Sequence, residues 1–232
     1  MLRDESTGCL WTTDETLASK GFAPMSSFKI ANALISLETG VIQGEGHVFR
    51  WDGSPRLMKA WEQDLDLAGA LQVSCVPCFQ QVARQVGRAR MQRYLQSFGY
   101  GNKDISGPIE RFWLTGKLRI TPRGQVEFLH RMLSGKLQVE RSNVKTVWRS
   151  LELESGPGVI LRGKTGLGVQ GGRVIGWLVG YVEREGHRWI YATLVLGRTN
   201  APTKVKAEMK RVSPVRKPIT LEMLARAGIR LP

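Results

Sequence analysis

The sequence predicts an α/β (α+β) fold of two lobes, in which an antiparallel sheet lobe flanked by helices packs against an all-helical lobe. Apolar residues recur at helical spacing between about residues 23 and 155, whereas residues 158–196 are rich in β-branched and aromatic side chains. The chain has 232 residues, 42% of them hydrophobic, which is enough to bury the core of such a fold. We assign residues 1–22 and 156–232 to the sheet lobe and residues 23–155 to the helical lobe of one interleaved domain.

The helical lobe is predicted to contain six helices. The first begins near Ser26, where apolar residues take up helical spacing, and ends near Leu37, before a glycine typical of helix C-termini. Gly87 separates two of the others. The remaining five are predicted at residues 57–65, 76–87, 88–98, 122–134 and 140–151.

The sheet lobe is predicted from three strands, at residues 158–165, 174–182 and 188–196. Glu185-Gly186 between the last two strands predicts a hairpin. A closing helix is predicted at residues 219–227, ended by a glycine. We expect the first helix and the first strand to meet where the lobes join. Such junctions commonly form clefts that bind ligands.

The formal charge of +14 admits a nucleic-acid-binding function. Four arginines lie between residues 84 and 93, and residues 201–232 hold eight Lys/Arg against two Glu. Neither segment carries a nucleic-acid-binding motif, so a basic but scattered surface is the preferred interpretation. We predict no nucleic-acid partner, although the positive field would attract an anionic small molecule.

No run of 18 apolar residues is present, so the sequence predicts no membrane span and no membrane partner. The first residues, 1–5, have no apolar central region and do not form a secretory signal.

Three cysteines are present, at positions 9, 75 and 78. Cys75-Val76-Pro77-Cys78 has the C-x-x-C spacing of a redox or zinc motif. No second C-x-x-C follows and the three histidines are dispersed, so buried structural thiols are the preferred interpretation and no metal site is predicted.

Ser26-Ser27-Phe28-Lys29 carries the clearest chemical signal. A serine and a lysine three residues apart on a helix share one face, which places a base beside a hydroxyl nucleophile. On its own, Ser26 is better explained as a helix N-terminal serine. Lys164-Thr165-Gly166 changes that balance, because a serine–lysine pair followed by K-T-G is typical of penicillin-recognising serine enzymes.

Lys29 is the only base that the sequence offers to Ser26. No E-x-x-L-N motif is present, Ser74-Cys75-Val76 stands in place of S-D-N, and no Ser/His/Asp set is evident. A lysine with a pKa near 10.4 is a poor base while charged, but an apolar pocket lowers that pKa. The neutral amine can then attack CO2 to give a carbamate, which is an anionic base.

Five ordered motifs resemble those of the class D (oxacillinase-type) serine β-lactamases. They are Ser26-Ser27-Phe28-Lys29, Ser74-Cys75-Val76, Tyr100-Gly101-Asn102, Phe112-Trp113-Leu114 and Lys164-Thr165-Gly166. The resemblance extends from about residue 8 to the C-terminus. It implies a β-lactamase/transpeptidase-like fold with the active site at the junction of the lobes.

The resemblance also implies catalytic roles. Ser26 is the expected nucleophile, and carbamylated Lys29 is the expected base for acylation and deacylation. Ser74 is expected to relay a proton to the β-lactam nitrogen, and Lys164 to assist that relay and bind the substrate carboxylate. CO2 is the one small molecule needed besides the substrate, and no other cofactor is implied.

The carbamate pocket and the substrate-binding residues are implied in the same way. The indole N–H of Trp113 is expected to bind the carbamate, in a pocket kept dry by Phe28, Val76 and Leu114. All four residues can equally serve as core residues, and the two roles are compatible. The residues expected to bind substrate are Thr165, Gly166, Leu167 and Arg216, with the backbone N–H groups of Ser26 and Leu167 as the oxyanion hole.

Departures from the family pattern leave the substrate spectrum open. Met25 precedes the nucleophile where a smaller residue is usual, Thr115 replaces a common Glu, and the loop after Gly166 is short with Leu167 in place of an aromatic residue. The main alternative is a β-lactam sensor that is acylated without turnover, and an inactive or non-lactam member of the fold is a third. The resemblance implies a periplasmic or secreted protein, as a monomer or homodimer.

Overall fold

A six-stranded antiparallel sheet organises the computed structural model, which describes residues 1–198 and 201–229. Its strands are β1 (Leu2–Asp4), β2 (Leu10–Trp11), β5 (Glu152–Gly156), β6 (Val159–Gln170), β7 (Arg173–Arg184) and β8 (His187–Leu196). A separate two-stranded sheet pairs β3 (Val48–Phe49) with β4 (Leu65–Asp66). The order across the large sheet is β2-β1-β8-β7-β6-β5, so the N-terminal strands extend a hairpin meander formed 150 residues later.

Strands β6, β7 and β8 confirm the three predicted strands. Buried residues run without interruption along most of β7, because helices cover both faces of the sheet there. The β7–β8 turn has positive φ at both Glu185 (52°) and Gly186 (81°), as the tight hairpin predicted for this dipeptide requires. Gly163 and Gly180 lie opposite each other in β6 and β7, where a Cβ at Gly180 would lie 2.0 Å from the Arg162 carbonyl oxygen.

Eight α-helices are formed by the described residues. They are α1 (Glu15–Ala18), α2 (Lys29–Glu38), α3 (Leu67–Gln72), α4 (Val76–Val86), α5 (Arg88–Ser97), α6 (Pro122–Leu133), α7 (Arg141–Arg149) and α8 (Val205–Arg226). The predictions for α4, α5, α6 and α7 are confirmed to within two residues. Gly87, with φ of 77°, separates α4 from α5 as expected.

The helix predicted at residues 57–65 is wrong. That segment contains a 3₁₀ turn, Lys59–Trp61, and the first residue of β4, and Leu57 is 91% exposed, so only part of the segment packs against the core. Trp61 instead anchors the loop by donating its indole N–H to the Val73 carbonyl oxygen at 3.0 Å. The short helix α3 was not predicted, and its N-cap is Asp66, which accepts the Gly69 N–H.

Helix α8 begins 14 residues before the predicted start at residue 219. Pro214 and Pro218 lie within it, and proline normally interrupts a helix because it lacks an N–H donor. The helix continues because Val212, Thr220 and Leu224 are buried against the sheet. The predicted end is correct, since Gly228 follows the last turn with φ of 82°.

One hydrophobic core joins the helices to the sheet, with members such as Leu34 in α2, Phe128 in α6 and Trp177 in β7. Helix α8 packs on the sheet with a smaller cluster of its own around Leu224. The two-lobe boundaries given above remain a prediction. None of the helices among the described residues is long and apolar enough to cross a membrane.

Candidate active site

Ser26 lies in a 3₁₀ turn, Met25–Phe28, that leads directly into α2. Residues i and i+3 eclipse each other in a 3₁₀ turn, so Lys29 lies over Ser26. Met25 adopts a φ of 52°, a backbone conformation that residues other than glycine rarely take. Its backbone N–H donates to the Trp113 carbonyl oxygen at 3.1 Å. The Trp113 carbonyl oxygen thus helps to hold the turn in place. Ser26 is partly exposed, whereas Met25 and Ser27 on either side of it are buried.

Lys29 is fully buried and contacts two serine hydroxyls. Its Nζ lies 2.7 Å from Ser26 Oγ and 3.3 Å from Ser74 Oγ. No carboxylate forms an ion pair with this lysine among the described residues. Burial, assisted by the charge of Lys164, holds the pKa of Lys29 well below its usual value. The amine is therefore poised to be neutral beside the hydroxyl.

Lys164 is a second buried lysine, supplied by strand β6. Burial, with a smaller contribution from Arg216, lowers its pKa to about 7. Its Nζ donates to the carbonyl oxygen of Thr165 at 3.3 Å and lies 3.4 Å from that residue's hydroxyl. Arg216, on α8, donates to the Gly166 carbonyl oxygen at 2.9 Å and to the Ser213 hydroxyl at 2.9 Å. Lys164 and Arg216 thus approach the same end of the site.

Strand β6 packs directly against the turn that carries Ser26. A Cβ at Gly166 would lie 3.0 Å from the Pro24 carbonyl oxygen and 3.2 Å from the Ser27 nitrogen, so glycine permits this approach. The Gly163 N–H donates to the Leu151 carbonyl oxygen, away from β7. Because N–H directions alternate along a strand, the Leu167 N–H points to that same side, toward the turn.

An aromatic cluster lies beneath the turn. Phe28 stacks on Trp113, with ring centroids 5.5 Å apart, and meets Phe112 edge-on at 5.1 Å. Trp113 is fully buried, and its indole N–H has no acceptor in the structure. Val76, at the start of α4, and Leu114 are half-buried at the edge of this cluster. A buried donor without an acceptor normally costs free energy, and this N–H is available to bind a polar group placed beside it.

The chain matches the penicillin binding protein transpeptidase domain family over residues 5–215. It is 48% identical over 195 residues to "Beta-lactamase OXA-10" of Pseudomonas aeruginosa, a match that covers 83% of this chain and 73% of that relative. The crystal structure of FUS-1 (OXA-85), a class D β-lactamase from Fusobacterium nucleatum subsp. polymorphum, superposes with a TM-score of 0.87 at 32% identity, covering 97% of this chain and 90% of that one. The chain belongs to the class D β-lactamases.

This class D β-lactamase is also similar to a protein that is named as a regulator and not as a β-lactamase. "Regulatory protein BlaR1" of Bacillus licheniformis is 38% identical over 189 residues, a match that covers 81% of this chain and 31% of that relative.

The β-lactamase fold predicted from the motifs is confirmed by the likeness to class D structures.

Ser74 of the β-lactamase, the residue beside Lys29, adopts φ of 54° immediately before α4. The prediction of free buried thiols next to it is wrong, because Cys75 and Cys78 form a disulfide. Cys75 is the N-cap of α4 and Cys78 lies one turn on, which brings their Cα atoms to 5.5 Å, within disulfide range. Cys9 is the free cysteine, and it is exposed.

Gln125, on the buried side of α6, was not predicted as a site residue. Its side-chain amide donates to Ser27 Oγ at 2.8 Å, and that hydroxyl donates to the Pro24 carbonyl oxygen at 2.7 Å. These bonds fix the turn on the far side from Lys29. A polar residue on the apolar face of an amphipathic helix was the available signal.

Proposed function

We propose that this β-lactamase hydrolyses β-lactams through an acyl-enzyme on Ser26, with carbamylated Lys29 as the general base of both acylation and deacylation. The observation that carries the proposal is a fully buried lysine, without a carboxylate partner among the described residues, whose Nζ lies 2.7 Å from Ser26 Oγ. We further propose a periplasmic or secreted location, on the basis of family membership.

The residues around Lys29 fit a carbamate. Burial favours the neutral amine, which is the form that reacts with CO2. The indole N–H of Trp113 lacks an acceptor and can donate to an anionic group, and the charge of Lys164 would offset that group's negative charge. When bound to Lys29 as a carbamate, CO2 supplies a proton acceptor that carries a negative charge at neutral pH.

The contacts at Lys29 support the proposed nucleophile and proton relay. Ser26 Oγ forms a bond to the β-lactam carbonyl carbon, and its proton leaves on the side occupied by Lys29. Ser74 Oγ, 3.3 Å from Lys29 Nζ, can pass a proton to the ring nitrogen as the C–N bond breaks. Water then cleaves the ester on Ser26, with its proton removed on the same side.

Substrate binding is assigned to the opposite end of the site. We propose that Lys164, Thr165 and Arg216 receive the substrate carboxylate, because a buried amine, a partly buried guanidinium and a hydroxyl converge there. The N–H groups of Ser26 and Leu167 would stabilise the oxyanion, each by about 3 kcal/mol. Gly166 supports this geometry by letting the strand approach the turn.

Turnover of a chromogenic cephalosporin in bicarbonate buffer tests the proposed function. We expect product to accumulate well beyond one equivalent of enzyme. A burst that stops at one equivalent would instead support a β-lactam sensor, the alternative that the likeness to a regulatory protein favours.

The Lys29→Ala variant tests the base. We expect deacylation to be abolished, because no other base among the described residues contacts Ser26, while the exposed Lys20→Ala variant keeps full activity. In the unmodified enzyme, CO2 depletion at acidic pH should lower the hydrolysis rate, and added bicarbonate should restore it. Full activity in CO2-free acidic buffer would contradict the carbamate.

A further inference from the structure

The Cys75–Cys78 disulfide lies between the active site and a separate cavity. Cys75 directly follows Ser74 in the sequence, and the Ser74 hydroxyl contacts Lys29 in the active site. On the outer side both cysteines line a cavity of about 230 Å³ that does not include the catalytic serine or either buried lysine. Among its other lining residues are Phe49, Trp61, Pro77 and Arg84.

The cavity carries a net positive charge. Arg50, Arg56 and Arg84 line it, against Asp52 as the one acidic lining residue. Arg56 pairs with Asp52 at 2.7 Å, and Arg50 pairs with Asp64, which lies outside the lining. Arg84 is exposed and makes no ion pair with the described residues. An anionic molecule is therefore favoured at this opening over a cationic one.

The two cysteines differ in burial and in their place on α4. Counted over the whole residue, Cys78 is 8% exposed and Cys75 1% exposed, so Cys78 is the less enclosed of the two. Cys75 is the N-cap of α4, and its Sγ accepts the Cys78 N–H at 3.2 Å. A helix N-terminus stabilises a thiolate, and a stabilised thiolate leaves readily in thiol–disulfide exchange. Cys78 Sγ is thus the favoured electrophile, and Cys75 Sγ, at the helix N-terminus, is the favoured leaving group.

We propose that Cys75–Cys78 is a redox modification site that reacts, in the folded enzyme, with anionic low-molecular-weight thiols entering through this cavity. A first thiolate bonds to Cys78 Sγ, the S–S bond breaks, and Cys75 leaves as a thiolate. A second thiolate attacks the reagent's sulfur in the mixed disulfide and releases Cys78. Two thiols are oxidised to one small disulfide, and their two protons end on the two cysteines.

The test uses the Cys9→Ser enzyme, so that the exposed thiol does not contribute. Reduction by 2-mercaptoethanesulfonate, an anionic thiol, is compared with reduction by cysteamine, a cationic thiol. The rate with each thiol is divided by the rate at which the same thiol reduces hydroxyethyl disulfide, so that the difference in intrinsic reactivity between the two thiols cancels. Alkylation and intact-mass measurement count the thiols formed, while circular dichroism reports the fold.

We expect the anionic thiol to react several-fold faster on this normalised scale. The preference should shrink at high salt and in Arg84→Gln, but not in the matched Arg93→Gln on the neighbouring helix. Equal normalised rates would overturn the proposal, as would a rate that does not depend on thiol concentration, since the disulfide would then react only after unfolding. Two alkylatable thiols before any reductant is added would also overturn it. None of these measurements uses a β-lactam, so failure of this proposal can be distinguished from failure of the proposed hydrolase function.

Discussion

Lys29 and Lys164 place two buried amines in one site, and neither forms an ion pair with a carboxylate among the described residues. Burying a charged amine costs free energy, and two adjacent positive charges raise that cost. The fold therefore lowers the pKa of both amines, and at Lys29 the neutral amine is the reactive form. The same feature that prepares the site for chemistry reduces the stability of the folded state at low pH.

The pH dependence of unfolding tests this cost at Lys164. Its pKa is about 7 in the folded enzyme against a usual 10.5, so between these values the unfolded chain binds more protons. The free energy of unfolding should accordingly rise as pH increases from about 7 toward 10. Urea unfolding at several pH values should show a shallower rise in Lys164→Met than in the unmodified enzyme or in Lys20→Met. Parallel curves for all three would refute the assignment.

The Trp113→Phe substitution tests the unpaired indole N–H. Phenylalanine keeps an aromatic ring against Phe28 but removes the donor. We expect the bicarbonate concentration for half-maximal activity to rise about tenfold or more, since a hydrogen bond to a charged group contributes about 1.5–3 kcal/mol. Trp148→Phe is the matched control, because that indole N–H is also buried without an acceptor but its ring packs on Tyr181. Equal shifts in both variants, or none at Trp113, would remove Trp113 from the mechanism.

At the scale of elements, sequence periodicity was most reliable where local and tertiary preferences agree. The pair α4 and α5 was predictable because apolar spacing and a glycine break coincide at Gly87. Helix α8 was not, because two prolines argue locally for a break that burial against the sheet overrides. The proximity of Ser26 and Lys29 follows from their spacing alone. Gln125 joins them from about 100 residues away, which only tertiary packing reveals.

The Pro218→Ala substitution tests how α8 tolerates its prolines. Alanine restores the backbone N–H that proline lacks, so we expect the free energy of unfolding to rise, by up to about 3 kcal/mol. Thermal unfolding measures the effect. Pro202→Ala is the control, because Pro202 starts a 3₁₀ turn, where proline is well tolerated and no gain is expected. A loss of stability in Pro218→Ala would show that proline suits this helix.

At the scale of the whole molecule, the charge of +14 acts on the approach of substrate. An anionic β-lactam is drawn toward a basic surface, and salt screens that attraction over about 10 Å at 0.1 M. The buried contacts at Lys164 are screened much less, because water and ions do not surround them.

A salt series tests this separation of approach from chemistry. We expect kcat/KM for a penicillin to fall several-fold as salt increases, while kcat changes little. A cephalosporin with no net charge should show a much weaker dependence. A fall in kcat of the same size as the fall in kcat/KM would place the salt effect in the chemical steps instead.

The open edges of the sheet bear on how the enzyme behaves when it is crowded. An unpaired edge strand can recruit a strand from another molecule and start aggregation. At one edge, β5 carries Glu152 and Glu154 at a register shift against β6, and both the charge and the irregular pairing oppose such recruitment. At the other edge, β2 is only two residues long, so it presents too short a template. Both edges of the sheet are in this way poor templates for the addition of a strand from another molecule.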